Sequence, residues 1–248
     1  ILGVQNLNDW CAQEAIIKCL DLTLDEMVQI KALHTHHEYQ WYIRDNGSLD
    51  KTLETIQDWP EVQALGVSLN RDNFAQGVNS LADLAFKNAA DRDLDSQFLL
   101  LLNNDVAVAP NFIEPLIQKL ASNENIAAVQ PLIYFHHNHE LIWNAGSKYN
   151  SLLGIPRTPQ YNKKDVGQLE IKKQKQIDWI TGCAMMLKTE VLKKVGLFRE
   201  SFFIYYEDVD LSFRLKEAGY DLAYEPSSVI YHIAGMSHKS KEKTKEGY

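Results

Sequence analysis

Cysteine is scarce in this chain: its 248 residues hold only Cys11, Cys19 and Cys183, an odd, widely spaced set without a CxxC pair. That argues against a disulfide framework and for packed thiols in a reducing compartment. No apolar run approaches the roughly 18 residues of a membrane-spanning helix, and no signal peptide opens the chain. The first residue is Ile1, inside a strand-like run, so the natural start is expected upstream. Positive charge is short too, with 25 Lys and Arg against 33 Asp and Glu, a net of −8. Phosphate-tracking nucleic-acid binders need the opposite balance.

What is present is core-forming material. Hydrophobic residues make up 45% of the chain, enough for one sizeable α/β domain. Ile1–Val4, Trp41–Arg44, Val62–Leu69 and the continuous run Phe98–Leu102 read as buried strands. Between them, Asn8 or Asp9 opens one helical pattern, Thr23 to Glu26 has capping-box spacing, and Asn79–Asn88 is helical through Leu81, Leu84 and Ala85. Strand alternating with helix predicts a mostly parallel sheet whose carboxyl ends line the ligand crevice. Further on, a helix is expected over Pro110–Leu120, strands over Ile126–Phe135 and over Ile177–Leu187 with an interruption at Thr181-Gly182-Cys183, a helix over Glu207–Ala218 and a strand over Leu222–His232. Lys148–Gln176, with Gly154, Pro156, Pro159, Gly167 and paired lysines, is expected to be a long exposed loop.

Two polar clusters interrupt these apolar segments. Leu102-Asn103-Asn104-Asp105 ends a central strand, where an open α/β sheet places nucleotide or metal. Glu207, Asp208 and Asp210 follow Phe202, Phe203, Tyr205 and Tyr206, an aromatic run expected to exclude water and tune a carboxylate as a base. The competing reading is that these acids only place negative charge at a helix N-terminus, with Asp210 capping or ion-pairing. His34-Thr35-His36-His37 and His136-His137-Asn138-His139 lack zinc spacing and are expected on surface loops.

Leu7-Asn8-Asp9-Trp10, Asp45-Asn46-Gly47-Ser48, Asn73 to Asn79, Leu102 to Asp105, Asp178 to Gly182, Gly196-Leu197-Phe198, Phe202 to Asp210, Arg214, Ala218-Gly219-Tyr220 and His232 occur in an ordered series. Singly each is weak, but in this order and spacing the chain resembles the family 2 glycosyltransferases of the GT-A fold, especially their rhamnosyltransferase-like branch. The resemblance implies one domain over residues 1–248. Residues 1–109 would form the nucleotide-sugar half, 110–238 the acceptor and catalytic half, and 239–248 a basic tail.

It further implies an inverting transfer from a UDP- or dTDP-sugar to a glycan or lipid-linked saccharide, in cytoplasmic assembly of cell-surface polysaccharide with possible contact at the inner membrane face. Asp105 and His232 are the implied ligands of Mn2+ or Mg2+, with diphosphate and water completing the shell. Asp208 is the implied general base and Glu207 its support or the acceptor's. Asn8, Asp45, Asn73, Gly77, Asn103 and Asn104 would meet the donor, Asp45 accepting the imino N–H of uracil or thymine. Trp179, Thr181 and Gly182 would meet the acceptor, with Trp143 as a second stacking surface. Cys183 has no neighbouring feature of a nucleophile, and the tail beyond His232 is expected to close over donor. A catalytically silent nucleotide-binding module stays open as an alternative. A sugar nucleotidyltransferase is less favoured, since Gln5-Asn6-Leu7-Asn8 is no Gly-rich loop.

Overall fold

The computed structural model describes residues 2–3, 41–45, 62–67, 73–91, 98–103, 105–167, 177–203 and 205–233. Four parallel strands form one side of the main sheet: β1 (Leu2–Gly3), β2 (Trp41–Asp45), β3 (Val62–Val67) and β4 (Phe98–Asn103), in the order β4-β1-β2-β3. Leu99, Leu101 and Leu102 are buried in β4, each worth roughly 1.5 to 3 kcal/mol of apolar burial. α1 (Phe74–Asp91) lies against this half, with Ala75, Val78, Leu81 and Ala82 in the same core.

The sheet continues through β11 (Ala184–Lys188), antiparallel to both β4 and β6 (Ile126–Phe135). β6 is the hinge of the architecture. Its start pairs with β11 and its end with β7 (Asn138–Asn144), while β12 (Asp221–His232) runs parallel along its length. The short β5 (Val106–Val108) joins β12 antiparallel, and β10 (Lys163–Lys164) edges β7. α2 (Ile113–Ala121) buries Ile113, Leu116 and Leu120 against β6 and β12. α3 (Thr189–Val195) follows β11, and α4 (Glu207–Glu217) precedes β12.

Several expectations are corrected. The first described helix starts at Phe74 rather than Asn79, because Asn73 and Gln76 cap reciprocally: Gln76 N–H donates to Asn73 Oδ1 at 2.9 Å and Asn73 N–H to Gln76 Oε1 at 3.0 Å. The expected loop from Lys148 contains a hairpin, β8 (Lys148–Asn150) with β9 (Ile155–Arg157), plus β10. His136 and His137 form a β-turn and Asn138 and His139 already belong to β7, so that cluster is a hairpin and not a loop.

The strand expected from Ile177 begins only at Ala184. The reason lies in four successive backbone amides that donate to side chains and not to a neighbouring strand. Ile180 gives to Ser212 Oγ (3.0 Å), Thr181 to Gln130 Oε1 (3.3 Å), Gly182 to Asp208 Oδ2 (2.9 Å) and Cys183 to Thr181 Oγ1 (3.3 Å).

Candidate functional site

Asp105 sits where the chain turns from β4 into β5, and His232 ends β12. The β5–β12 ladder pairs His232 with Val106 and extends one rung further, Ile233 N–H donating to the Asp105 carbonyl at 2.9 Å. Side chains 127 positions apart therefore meet, His232 Nε2 lying 3.1 Å from Asp105 Oδ2. Trp143 from β7 stands edge-on to the imidazole, ring centres 4.3 Å apart. Asp105 Oδ1 and His232 Nδ1 are buried without a hydrogen-bond partner. Asp105 Oδ2 and His232 Nε2, 3.1 Å apart, are spaced as two neighbouring ligands of one divalent cation, carboxylate and imidazole both being metal donors. Among the described residues no group of three or more His, Cys, Asp or Glu could hold a metal, so this pair is half a shell.

Burial works against a charged His232, yet Cys183 and Asp105 beside it hold its pKa above the ordinary histidine range. Burial also pushes the Cys183 thiol up. The thiol thus stays protonated at neutral pH, and the Asp105 carboxylate is the charge that matters to the imidazole.

The second cluster opens α4. Asp208 Oδ2 accepts from Gly182 N–H at 2.9 Å and its Oδ1 from Val209 N–H at 2.8 Å. Burial raises the Asp208 pKa against those two hydrogen bonds. Glu207 is buried with Oε2 unpartnered, and burial lifts its pKa to about 7. Ser212, one turn on, donates to the Asp208 carbonyl at 2.7 Å and accepts from Ile180, locking the helix start to the 180–183 segment. Asp210 is an ion-pair residue, 2.8 Å from Arg199 and 2.7 Å from Arg214.

Gly182 and Cys183 join the two clusters. One holds Asp208 and the next lies beside His232, so carboxylate and imidazole are addressed by neighbouring residues about 3.8 Å apart along the chain. A buried relay fixes this turn from below. Gln130 Nε2 donates to Asn144 Oδ1 at 2.9 Å, which also accepts from Gly146 N–H at 2.9 Å, while Asn144 Nδ2 donates to Ser147 Oγ at 3.1 Å. Sequence reading passed over Gln130, Asn144 and Ser212, whose one signal was a polar residue inside an apolar strand or helix face.

The aromatic run does not act as expected. Phe203 is 78% and Tyr205 65% exposed, and Tyr205 and Tyr206 take left-handed backbone angles (φ 68° and 71°). Phe74, packed beside Phe198, comes to the same place as Asp208: a Cβ added at Gly182 would lie 3.5 Å from the Phe74 ring and 3.6 Å from Asp208 Cβ. A non-glycine pair in this region is strained, and it immediately precedes Glu207.

Asn73 turns its side chain to capping and to the Glu200 carbonyl, 2.9 Å away. Gly77 lies in the first turns of α1 with open space where a Cβ would sit. Asn103 N–H donates to the Cys183 carbonyl at 2.9 Å, tying the end of β4 to the bridging turn. Thr181 is buried, and Trp179 donates its indole N–H to the Lys148 carbonyl at 2.9 Å. Asp45 closes β2. Asn8, Asn104, the helix openings at Asn8 and Thr23, the His34 cluster and the tail from 234 onward lie outside the described residues.

Comparison with known proteins agrees with this layout. The profile described as Glycosyltransferase like family 2 matches residues 46–246. An N-acetylglucosaminyl-diphospho-decaprenol L-rhamnosyltransferase of Mycobacterium tuberculosis (strain CDC 1551 / Oshkosh) is 26% identical over 220 residues, covering 84% of this chain and 71% of that protein. Rhamnosyltransferase WbbL of Escherichia coli (strain K12) is 24% identical over 173 residues, 66% of this chain and 62% of its own length. Among solved structures, GalNAc-T7 with UDP, GalNAc and Mn2+ superposes with a TM-score of 0.58 at 18% identity, over 78% of this chain and 37% of that one. The mannosyltransferase PcManGT from Pyrobaculum calidifontis, with GDP-Man and Mn2+, gives 0.55 at 14% identity, over 88% and 54%. This chain thus spans about a third to a half of those two structures. With the profile covering most of the sequence and the sheet matching GT-A enzymes, the chain belongs to glycosyltransferase family 2 and is built on the GT-A fold.

Proposed function

We propose that this protein is an inverting, divalent-metal-dependent transferase that moves a hexose or deoxyhexose from a UDP- or dTDP-sugar to a glycan or lipid-linked saccharide. The observation that supports the reading is the turn Gly182-Cys183, whose first residue holds Asp208 while the second lies beside His232 of the Asp105–His232 pair. Asp208 takes the proton of the acceptor hydroxyl as that oxygen attacks the anomeric carbon from the face opposite the diphosphate. The new C–O bond forms, the bond from the anomeric carbon to the diphosphate oxygen breaks, and nucleoside diphosphate leaves. Low-dielectric surroundings raise the basicity of Asp208, and the Gly182 amide keeps its carboxylate aimed.

Asp105 and His232 would hold Mn2+ or Mg2+ with diphosphate oxygens and water, and such an ion supplies charge neutralisation of the leaving group. Glu207, half ionised near neutrality, supports the acceptor side with Trp179, Thr181 and Gly182. Asp45, Asn8, Asn73, Gly77, Asn103 and Asn104 are proposed for the donor side, within residues 1–109, and residues 110–238 supply acceptor and catalytic groups. Asn73 and Gly77 would bring backbone close to the nucleotide, the Asn73 side chain being committed to its helix cap. The mycobacterial relative is named for a decaprenol diphosphate and L-rhamnose, which supports a lipid-linked acceptor and a deoxyhexose here. Among the described residues no helix is long and apolar enough to cross a membrane, so peripheral contact is the form of membrane encounter we propose.

A thermal-shift panel of UDP, dTDP, GDP and their sugar conjugates with Mn2+, Mg2+ or chelator tests the reading. Metal-dependent stabilisation by UDP or dTDP compounds is expected. Folded protein that responds to no nucleotide would turn the reading toward a silent module.

A further inference from the structure

Residues 148–167 carry four cationic side chains and one anionic, a net of +3 in a chain of −8. Within them, β8 and β9 form a two-stranded sheet of their own, pairing Lys148 with Arg157 and Asn150 with Ile155. At the tip Leu152 is 90% and Leu153 58% exposed, with Ile155 exposed behind them. Single exposed leucines are ordinary, but adjacent ones at a projecting turn gain nothing from folding and mark a contact surface.

The turn is built to lose water. The amides of Leu152 and Leu153 both donate to Asn150 Oδ1, at 3.1 Å each. Unpaired amides are what makes a loop costly to move into hydrocarbon, and this one side chain satisfies two of them. Gly154 closes the turn at φ +66°, an angle that disfavours side chains. The stem is braced on the site: Tyr149 packs edge-on to Phe213 of α4 at 4.9 Å, and its N–H donates to Asp178 Oδ2 at 3.0 Å. The tip is thus held in fixed relation to the helix that carries Glu207 and Asp208.

We propose that the β8–β9 hairpin docks this protein on an anionic lipid bilayer, Leu152 and Leu153 entering the boundary between headgroups and acyl chains while Arg157, Lys163 and Lys164 face lipid phosphate. Two leucines are far below the roughly 800 Å² per partner of a stable protein interface, but they suffice as a shallow wedge when cations stand beside them. Arg157 on β9 and Lys163 on β10 are exposed, Lys164 is exposed while pairing with Glu140 at 2.8 Å, and the chain as a whole carries −8, so the cations of this segment favour a negative surface. The assignment deepens the lipid-linked-acceptor reading and rests on it for the purpose of docking; the surface itself stands on the hairpin.

Flotation of the full protein with phosphatidylcholine vesicles, with and without phosphatidylglycerol, tests it. Binding to the anionic vesicles alone is expected. Leu152→Ser with Leu153→Ser should lower the partition at least about tenfold, and Lys163→Glu with Lys164→Glu by roughly fivefold or more per position, with a flatter salt dependence. Wild-type protein that ignores anionic vesicles, or a leucine double variant that binds them equally, overturns the proposal. So does a double variant whose one change, by sedimentation velocity, is conversion of a dimer to monomer, which would make the tip a contact between copies. Nucleotide-dependent stabilisation, run on the same variants, should be unchanged; its absence from wild type as well would sink the transferase reading and leave the vesicle result standing.

Discussion

Asp105 Oδ2 and His232 Nε2 lie 3.1 Å apart although 127 positions separate them, and each residue keeps a second buried polar atom without a partner. Among the described residues this pair alone supplies too few donors for a tight cation, so on the proposed reading the diphosphate of the donor would complete the shell. Mn2+ binding followed by calorimetry should therefore tighten when UDP or dTDP is present. Asp105→Ala and His232→Ala should each weaken the nucleotide-bound Mn2+ site by about 10- to 100-fold. Coupling of wild-type size in Asp105→Ala would remove the pair from the metal role.

Asp208→Asn separates chemistry from binding. The amide oxygen can still accept from the Gly182 N–H, 2.9 Å from Oδ2 in the native site, so the turn and the donor crevice should keep their shape. What is lost is the basic lone pair, together with the local bond from Val209 N–H to Oδ1. Turnover should fall by about 10²- to 10⁴-fold with donor affinity nearly unchanged. Steady-state rates beside nucleotide-sugar titrations decide it, and equal turnover would return Asp208 to a helix-capping role.

Much of this architecture was legible in the chain. Phe98–Leu102 has only one reading, a central strand, and the acids at 207, 208 and 210 mark a helix start whether or not they react. The break at Thr181-Gly182-Cys183 was legible as an interruption of the strand, but its extent back to Ala184 and the partners of its amides were not, because Ser212, Gln130 and Asp208 lie as many as 51 positions away and hydropathy does not connect them. The exposure of Phe203 and Tyr205 was hidden too: composition says aromatic, and it carries no sign of the left-handed backbone at Tyr205 and Tyr206. The β6–β7 hairpin escaped notice because polar His136 to His139 reads as loop, whereas Phe135 pairs with Asn138 across a two-residue turn.

Glu207 predicts a pH dependence of stability. Its folded pKa, about 7, stands above the ordinary 4.5, with burial as the main cause and Asp208 adding to it. Between those values the folded state holds a proton that the unfolded state has released. Stability should fall as pH rises from about 4.5 to 7 and level off above, by on the order of 3 kcal/mol for this group. Glu207→Gln should remove that slope. Urea denaturation at several pH values reads the effect, and parallel pH profiles for wild type and variant would contradict the assignment.

Asp210 is shared by two arginines that should differ sharply in worth. Arg199 is largely exposed and makes one contact, so Arg199→Ala should cost less than about 1 kcal/mol. Arg214 is mostly buried. Its Nε meets Asp210 at 2.7 Å, while its other nitrogens donate to the carbonyls of Val195, at 2.9 Å, and of Leu197, beyond the end of α3. A lysine keeps the charge but cannot reproduce the planar fork, and at least one carbonyl would lose its donor. Arg214→Lys should cost about 2 to 3 kcal/mol. Because Phe198 N–H is held by Asn79 Oδ1 and its ring packs on Phe74 beside Gly182, the loosened 196–198 segment should also reduce turnover. Equal stabilities for the two variants, measured by urea denaturation at one pH, would show that charge alone, and not the fork, holds this segment.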